Sequence, residues 1–506
     1  MAIMGATIYS IIESGLRGNI IDVECHMTNG LPGMVIVGAK GKAVDEARER
    51  IRAAFASSDI PLPRKRIAIY LAPADLPKDG ACFDVPIATA LLAHQGTATQ
   101  SLPSDMICIG ELALTGETRP VRGIIGKILA ARAKGYTTFL IPRGNLPQAQ
   151  LIPDLTLYPL THLRELYDHL GGTRELQSIH TKTGSVDITS QPRSEHDFAE
   201  VIGQARAKRA LEIAAAGGHN VLLNGPPGAG KSMLARALQS ILPPLQREEI
   251  LEITHLHSLA SRNFEELITA RPFRSPHHSS SSTAILGGGQ SPLPGEISLS
   301  HHGVLLFDEF PEFSHTTIEA LRQPLEDGEI SVARAKDTIT YPAQFILVAT
   351  ANPCPCGYFG SQKPCSCLPQ QIIQYQRKLS GPILDRIDLY VEVEEVAHDK
   401  LLRAQTAEET SSSILKRVTA ARQRQQARGS ARLNRGMTNQ DIKQHARLSS
   451  NAESLLNQAA EKLGLSARAY MRCVKVARTI ADLEQSEHIT TAHISEALQY
   501  RRRQMS

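Results

Sequence analysis

At 506 residues the chain is too long for one hydrophobic core and divides into roughly three domains. Its 42% hydrophobic and 21% charged content makes it globular, and a net charge of +4 is too small to mark a nucleic-acid binder by bulk charge, so any basic surface must be local. No apolar run approaches the roughly 20 residues of a membrane span, and the opening MAIMGATIYSIIESG has no basic leader before a long apolar core, so the expected location is the cytoplasm.

From Met1 to about Gly172 the chain reads as α/β. Ile67–Ala72 and Thr138–Ile141 have the composition of strands, while Val44–Ser57 and Val85–Leu92 space their apolar residues as helices. Two stretches, PKDGACFD at 77–84 and GELALTG at 110–116 continuing to KILAAR at 127–132, resemble the proteolytic domain of Lon proteases, which use a Ser/Lys dyad. The match puts Lys127 at the dyad lysine and Cys82 where the serine should stand. A lysine-activated thiolate could attack an amide. Phe83 and Asp84 replace the small residues that leave room at the oxyanion site, so 1–172 is expected to be an inactive, partner-binding domain.

Residues 173–195 turn polar and read as a linker. A core domain is expected over 196–395. It opens with a helical pattern, Ala205–Ala216, and then NVLLNGPPGAGKSMLARAL at 220–238: a short apolar strand, a G-x-x-x-x-G-K-S loop and a helix. Gly225, Pro226, Pro227, Gly228, Ala229 and Gly230 form a turn whose backbone N–H groups can face a polyphosphate. Lys231 adds a cation for the β- and γ-phosphates, and the Ser232 hydroxyl can ligate Mg²⁺. These features define an ATP site. The run GVLLFDE at 303–309 is a strand ending in two acids, with Asp308 placed to help hold Mg²⁺ and Glu309 to polarise the attacking water. A third strand, QFILVAT at 344–350, leads to Asn352, which can bond the γ-phosphate as the sensor-1 residue of AAA+ ATPases does.

Two insertions interrupt the core. Residues 286–296 (LGGGQSPLPGE) are too rich in Gly and Pro for a helix and read as a mobile loop. Residues 328–341 (GEISVARAKDTITY) alternate as a hairpin with Arg334 and Lys336 at a basic tip. Such a tip suits a phosphate backbone, and a solvated turn would look the same. Of the eight Cys, four crowd into 353–367, where Cys354, Cys356, Cys365 and Cys367 form two C-x-C pairs eight residues apart. Four thiolates so spaced can enclose a tetrahedral Zn²⁺ with no open position, a structural site in a reducing compartment; free thiols are the alternative.

The last segment, 396–506, reads as a helical lid. Ile414–Arg428 carries Lys416, Arg417, Arg422, Arg424 and Arg428, a solvated face by default and a candidate nucleic-acid surface. The segment SGPILDRID at 380–388 resembles the stretch that supplies an arginine finger in the magnesium-chelatase and MCM branch of AAA+ proteins, which puts Arg386 in that role and implies a ring. LSARAYMR at 465–472 resembles the lid of the same branch, with Arg468 as a sensor-2 arginine reaching back to the γ-phosphate. In that branch the two insertions line a central pore.

A Lon-like front, this AAA+ core and the four-Cys insert occur in this order in the YifB/ComM family of magnesium-chelatase-like AAA+ ATPases, and the resemblance covers nearly the whole chain. It implies a Lon-protease-like α+β domain, a P-loop parallel-sheet core and a helical lid. It further implies a homo-hexameric, ATP-driven motor on single-stranded or branched DNA that promotes branch migration in homologous recombination during natural transformation. The alternative is a remodeller or chelatase-type chaperone acting on a protein partner.

Overall fold

The computed structural model describes residues 7–501, apart from 15–16, 39–41, 77, 79–80, 96–98, 183–195, 262, 290–291, 334–337, 380, 397–408 and 430–432. The chain forms two compact units. The first takes Met1–Thr189 together with Gln246–Ile268, and the second takes Ser190–Leu245 and Thr269–Ser506.

The first unit is built on an eight-stranded mixed sheet, ordered Ile179–His180, Thr156–Leu160, Thr138–Pro142, Met106–Cys108, Ile8–Ser14, Arg17–Thr28, Arg66–Ala72, Gly33–Val37. Strand Arg66–Ala72 alternates strictly: Ile67, Ile69 and Leu71 are buried while the residues between them face out. The helix Asp84–His94 is mostly apolar and buried from Asp84 to Leu92, against the strands Ile8–Ser14 and Arg17–Thr28. Its first residue, Asp84, is held by the Arg50 guanidinium at 2.8 and 3.1 Å and by the Leu112 N–H at 3.2 Å. Burial still pushes that carboxyl up to about 6, against the Arg50 bond and charge. The helix Arg247–Ala260 belongs here as well: Arg247 donates to the carbonyls of Leu151 (2.7 Å) and Gln150 (3.2 Å), and Arg122 donates to Ser261 O at 2.7 Å.

The second unit holds a five-stranded, wholly parallel sheet ordered Phe273–Arg274, Val304–Phe307, Ile346–Ala351, Val221–Asn224, Leu389–Glu392. The runs VLL, VLLF and ILVATA are buried throughout, as a sheet covered on both faces requires. The α/β architecture expected from sequence is borne out. The helices Ala205–Gly217, Ser411–Ala427 and Ala467–Leu483 share one core with the sheet, so the C-terminal helices pack as part of this unit.

Two sequence expectations change here. The Gly- and Pro-rich insertion is a short hairpin, Gly287–Gly288 against Leu293–Pro294, between the helices Ser282–Leu286 and Glu296–Leu299. The basic helix is spent largely on internal partners: Arg417 bonds Glu212 at 2.6 Å, Arg422 caps Ala215 O at 2.6 Å, and Arg428 grips Asp482 through two 2.7 Å bonds. Only Lys416 and Arg424 among its cations are exposed. Sequence periodicity shows which residues share a helix face but not what that face meets, and here it meets carboxylates and carbonyl ends.

Candidate nucleotide site and the arginine cavity

The phosphate loop leaves the end of the interior strand Val221–Asn224 and closes on the helix Lys231–Ala237. Gly225 is packed so tightly that a Cβ there would lie 2.2 Å from Val393 O, while Gly228 (φ 82°) and Gly230 (φ 86°) hold the left-handed turns that aim the loop's N–H groups inward. Lys231 is buried, and its Nζ donates to Gly225 O (2.6 Å), Pro226 O (2.8 Å) and Asn352 Oδ1 (3.0 Å). Its ammonium is thus held by neutral oxygens that the charged oxygens of a triphosphate would outcompete. Burial lowers its proton affinity, and the nearby Asp308 and Glu309 oppose this.

The strand Val304–Phe307, two places along the sheet, ends at the acids. Ser232 Oγ donates to Asp308 at 2.9 and 3.1 Å, so the two expected Mg²⁺ ligands are already side by side. Thr350, which sequence reasoning passed over, joins the group: its hydroxyl donates to Asp308 Oδ1 at 2.6 Å and accepts the Glu309 N–H at 2.9 Å. Glu309 is held in the left-handed region at φ 54°, an uncommon conformation for such a residue and one found at functional turns. A polar residue ending the apolar run FILVAT was the available signal. Lys231, Ser232, Asp308, Glu309 and Asn352 therefore converge at the carboxyl edge of a parallel sheet, where such folds bind nucleotides.

The four cysteines also converge. Their Sγ atoms lie within 4.8 Å of one another, with Cys354–Cys356 at 3.4 Å, Cys356–Cys365 at 3.5 Å and Cys354–Cys365 at 3.7 Å. A tetrahedron with Zn–S bonds of about 2.3 Å has S···S edges of about 3.8 Å, so the donor set and its size fit Zn²⁺. Hydrogen bonding from the Tyr358 backbone N–H holds the Cys356 thiol down at about 5. At Cys365 and Cys367, against a backbone hydrogen bond, desolvation and hydrogen bonds with neighbouring thiols push the thiols up, so Cys356 gives up its proton more readily than either. The insert also abuts the phosphate loop: a Cβ on Gly357 would come 2.6 Å from Pro227 Cδ.

Arg386 and Arg468 are brought together, but at the other end of the sheet. Asn220, just before the phosphate-loop strand, receives the Leu347 N–H at 3.0 Å, donates to Arg386 O at 2.9 Å, and gives its own N–H to Asp388 Oδ2 at 3.0 Å. It thereby ties three strand beginnings to one another, opposite the end that carries Lys231. There a cavity of 470 Å³ is lined by Glu326, Asp388, Arg386, Arg435, Arg468, Arg472 and Lys475. Arg468 donates to Glu326 Oε1 at 3.2 Å and Arg386 pairs with Glu326 Oε2. Within one chain neither arginine reaches its own phosphate loop, so Arg468 does not reach back as the family resemblance implied. Asp388, which burial alone would raise, is held far below the usual carboxylate range by His219, Arg435 and Arg472. Arg334 and Lys336 lie outside the described residues, while the strands that lead to them, Glu329–Ala333 and Thr338–Pro342, pair antiparallel with Val332 opposite Ile339.

In the first unit Cys82 lies in the turn before helix Asp84–His94, and Lys127 Nζ donates to Arg122 O at 2.7 Å. Burial pushes the Cys82 thiol up, with the Lys127 charge only partly opposing it. That is the reverse of the activation a nucleophile needs.

A phosphate-loop strand inside a parallel sheet, the sensor-asparagine strand beside it and an acid pair on the strand beyond define an AAA+ P-loop protein. Residues 197–401 match the family model described as magnesium chelatase, subunit ChlI; residues 23–145 match that for subunit ChlI of Mg-chelatase, and 408–501 that for the ChlI C-terminal region. The chain is 43% identical over 489 residues to the uncharacterized protein YifB of Escherichia coli, covering 96% of this chain and 95% of that one. It is 41% identical over 499 residues to the competence protein ComM of Haemophilus influenzae, covering 98% and 97%. A shorter likeness, 28% over 164 residues, links it to the Lon protease of Mycolicibacterium smegmatis, covering 30% of this chain and 21% of that protease. The chain belongs to the YifB/ComM family of magnesium-chelatase-like AAA+ proteins. Among the described residues no helix is long and apolar enough to cross a membrane.

Proposed function

We propose that this protein is an ATP-hydrolysing ring motor that acts on DNA, a homo-hexamer whose turnover drives branch migration during recombination of incoming strands. The observation that carries the ATPase reading is the convergence of Lys231, Ser232, Asp308, Glu309 and Asn352 on one sheet edge. Lys231 and the loop N–H groups bind and orient the triphosphate. Ser232 and Asp308 would hold Mg²⁺, which neutralises developing phosphate charge when bound. Glu309, fixed through its own N–H on Thr350, polarises the attacking water, and Asn352 shares its hydrogen bonds between Lys231 and the terminal phosphate. Because Arg386 and Arg468 stand at the opposite end of the same sheet, they suit the nucleotide of a neighbouring copy, which makes a ring the natural assembly.

The DNA assignment rests on likeness to a protein named for competence and on the hairpin that carries Arg334 and Lys336. The Cys354, Cys356, Cys365 and Cys367 cluster would bind structural Zn²⁺ and stiffen the loop beside Asn352. The front unit is read as a scaffold for partners, since its Cys82 is not activated. The test compares ATPase rates with no polymer, with single-stranded or forked DNA and with an unfolded protein. DNA stimulation is expected, and it should vanish in the Arg334→Ala, Lys336→Ala double variant. The salt slope of that variant's DNA affinity should be shallower by about 0.7 unit for each single-strand phosphate it no longer neutralises. Stimulation by unfolded protein alone would favour a protein remodeller.

A further inference from the structure

Glu326 occupies a position that the mechanism above leaves unused. It lies near the end of the short helix Arg322–Asp327, half exposed at the mouth of the arginine cavity, and its two oxygens are divided between the two arginines: Oε2 to Arg386 and Oε1 to Arg468. Five cationic side chains line that cavity against two carboxylates, Glu326 and Asp388. Asp388 is buried and committed to the Asn220 N–H, with Arg472 at 3.9 Å. Glu326 is therefore the exchangeable anion of the pair. Arg386 has a further unmet demand, since its Nε is buried without a hydrogen-bond partner.

The same helix leads straight into the hairpin. It ends at Gly328 (φ 73°) and the chain enters strand Glu329–Ala333 at the next residue. Arg435 pins the helix at Leu325 O (2.9 Å), Gln323 Nε2 reaches Ser331 Oγ (3.4 Å), and the Ala343 N–H bonds Gly328 O (2.7 Å) on the return strand. A change in what holds the Glu326 carboxylate is thus transmitted to the hairpin strands without an intervening loop.

We propose that Glu326 is a positioning residue that holds Arg386 and Arg468 in reserve, and that its displacement by the polyphosphate of a neighbouring copy's nucleotide releases the helix Arg322–Asp327 and the hairpin strands joined to it. The inference rests on the reading that these arginines act across a subunit boundary. A half-exposed carboxylate binds guanidinium weakly, whereas a phosphate chain offers several charged acceptors to the same forks, so the exchange runs toward the nucleotide. Until it occurs, the fraction of subunits with free arginines limits turnover.

The experiment uses full-length Glu326→Gln and Glu326→Asp. The isosteric Gln loses the charge, so DNA-free ATPase should rise about fivefold, with half-maximal turnover reached at lower protein concentration. Apparent nucleotide affinity should tighten by a similar factor in the assembled ring and stay unchanged in protein too dilute to assemble, because the Lys231 loop lies at the other sheet edge and only the arginines feel the loss of Glu326. Asp keeps the charge and should stay near wild type. Hydrogen exchange of the amides in 322–333 and 338–342 should rise in the wild type on adding a non-hydrolysable ATP analogue. In Glu326→Gln it should already be high without nucleotide. A Gln variant with intact nucleotide binding but wild-type or lower turnover, or Gln and Asp variants that change alike, would overturn the role of Glu326 alone. Mixing Arg386→Ala subunits with Lys231→Ala subunits and recovering no ATPase above that of either alone would remove the cross-subunit reading and this inference with it.

Discussion

Thr350→Val isolates the group that shapes the acid pair without touching either acid. Thr350 is fully buried, and its single hydroxyl serves two partners, donating to Asp308 at 2.6 Å and accepting the Glu309 N–H at 2.9 Å. Valine keeps the shape but leaves that N–H without an acceptor, at a cost of about 1–3 kcal/mol, and removes a charge-assisted bond worth about 1.5–3 kcal/mol. Asp308 keeps Ser232 as a partner, so part of the second loss is recovered. If about 2 kcal/mol of the remainder falls on the transition state through a displaced Glu309, kcat drops about 30-fold. Apparent ATP affinity should move by less than about threefold, since Lys231 and the loop amides make none of these bonds, while the melting temperature should fall by a few degrees. The assay is steady-state ATPase over a range of ATP concentrations, with Thr350→Ser as the control that restores the hydroxyl. A Val variant with kcat within twofold of wild type would show that Glu309 keeps its position without Thr350.

Glu309→Gln should bind ATP and assemble while hydrolysis falls at least about 10²-fold, whereas Lys231→Ala should lose nucleotide affinity itself; filter binding and single-turnover rates separate the two. Cys365→Ser leaves three thiolates next to Pro227, so zinc content by mass spectrometry and ATPase rate should fall together, and a metal-free wild type with full activity would refute the link. Asp388 is held below its unfolded pKa of about 3.9, so its contribution to stability is complete above that pH and is lost as pH falls through the acid range. Asp388→Asn should therefore cost about 3–5 kcal/mol at pH 7, by leaving Arg435 and Arg472 uncompensated, and should flatten the acid limb of the unfolding profile.

What could be read from the chain depended on whether the information was local. The phosphate loop, the strand ending in Asp308 and Glu309, and the four-Cys spacing are contiguous patterns whose chemistry follows from residue order, and the structure assembles each of them. The Arg386–Glu326–Arg468 grouping joins positions 60 and 142 residues apart, and no periodicity relates them. The basic helix misled for the same reason, because its partners Glu212 and Asp482 lie in other helices. Thr350 was overlooked because one hydroxyl at the end of an apolar strand looks like ordinary β composition.

The front unit is not a contiguous stretch of chain: its helix Arg247–Ala260 is encoded after the phosphate loop. A ribosome must therefore make the phosphate-loop strand and Lys231 before the front unit can be finished, so during synthesis that unit waits with the surface under Leu151 and Arg122 uncovered. The expected linker 173–195 gives the front sheet its edge strand Ile179–His180, so a fragment must run past Lys182 to keep that strand, and even then it would carry the same uncovered surface permanently. Such a fragment should be sticky and poorly folded for reasons unrelated to its activity, and an isolated front unit worth assaying needs residues 246–268 grafted back through a short loop.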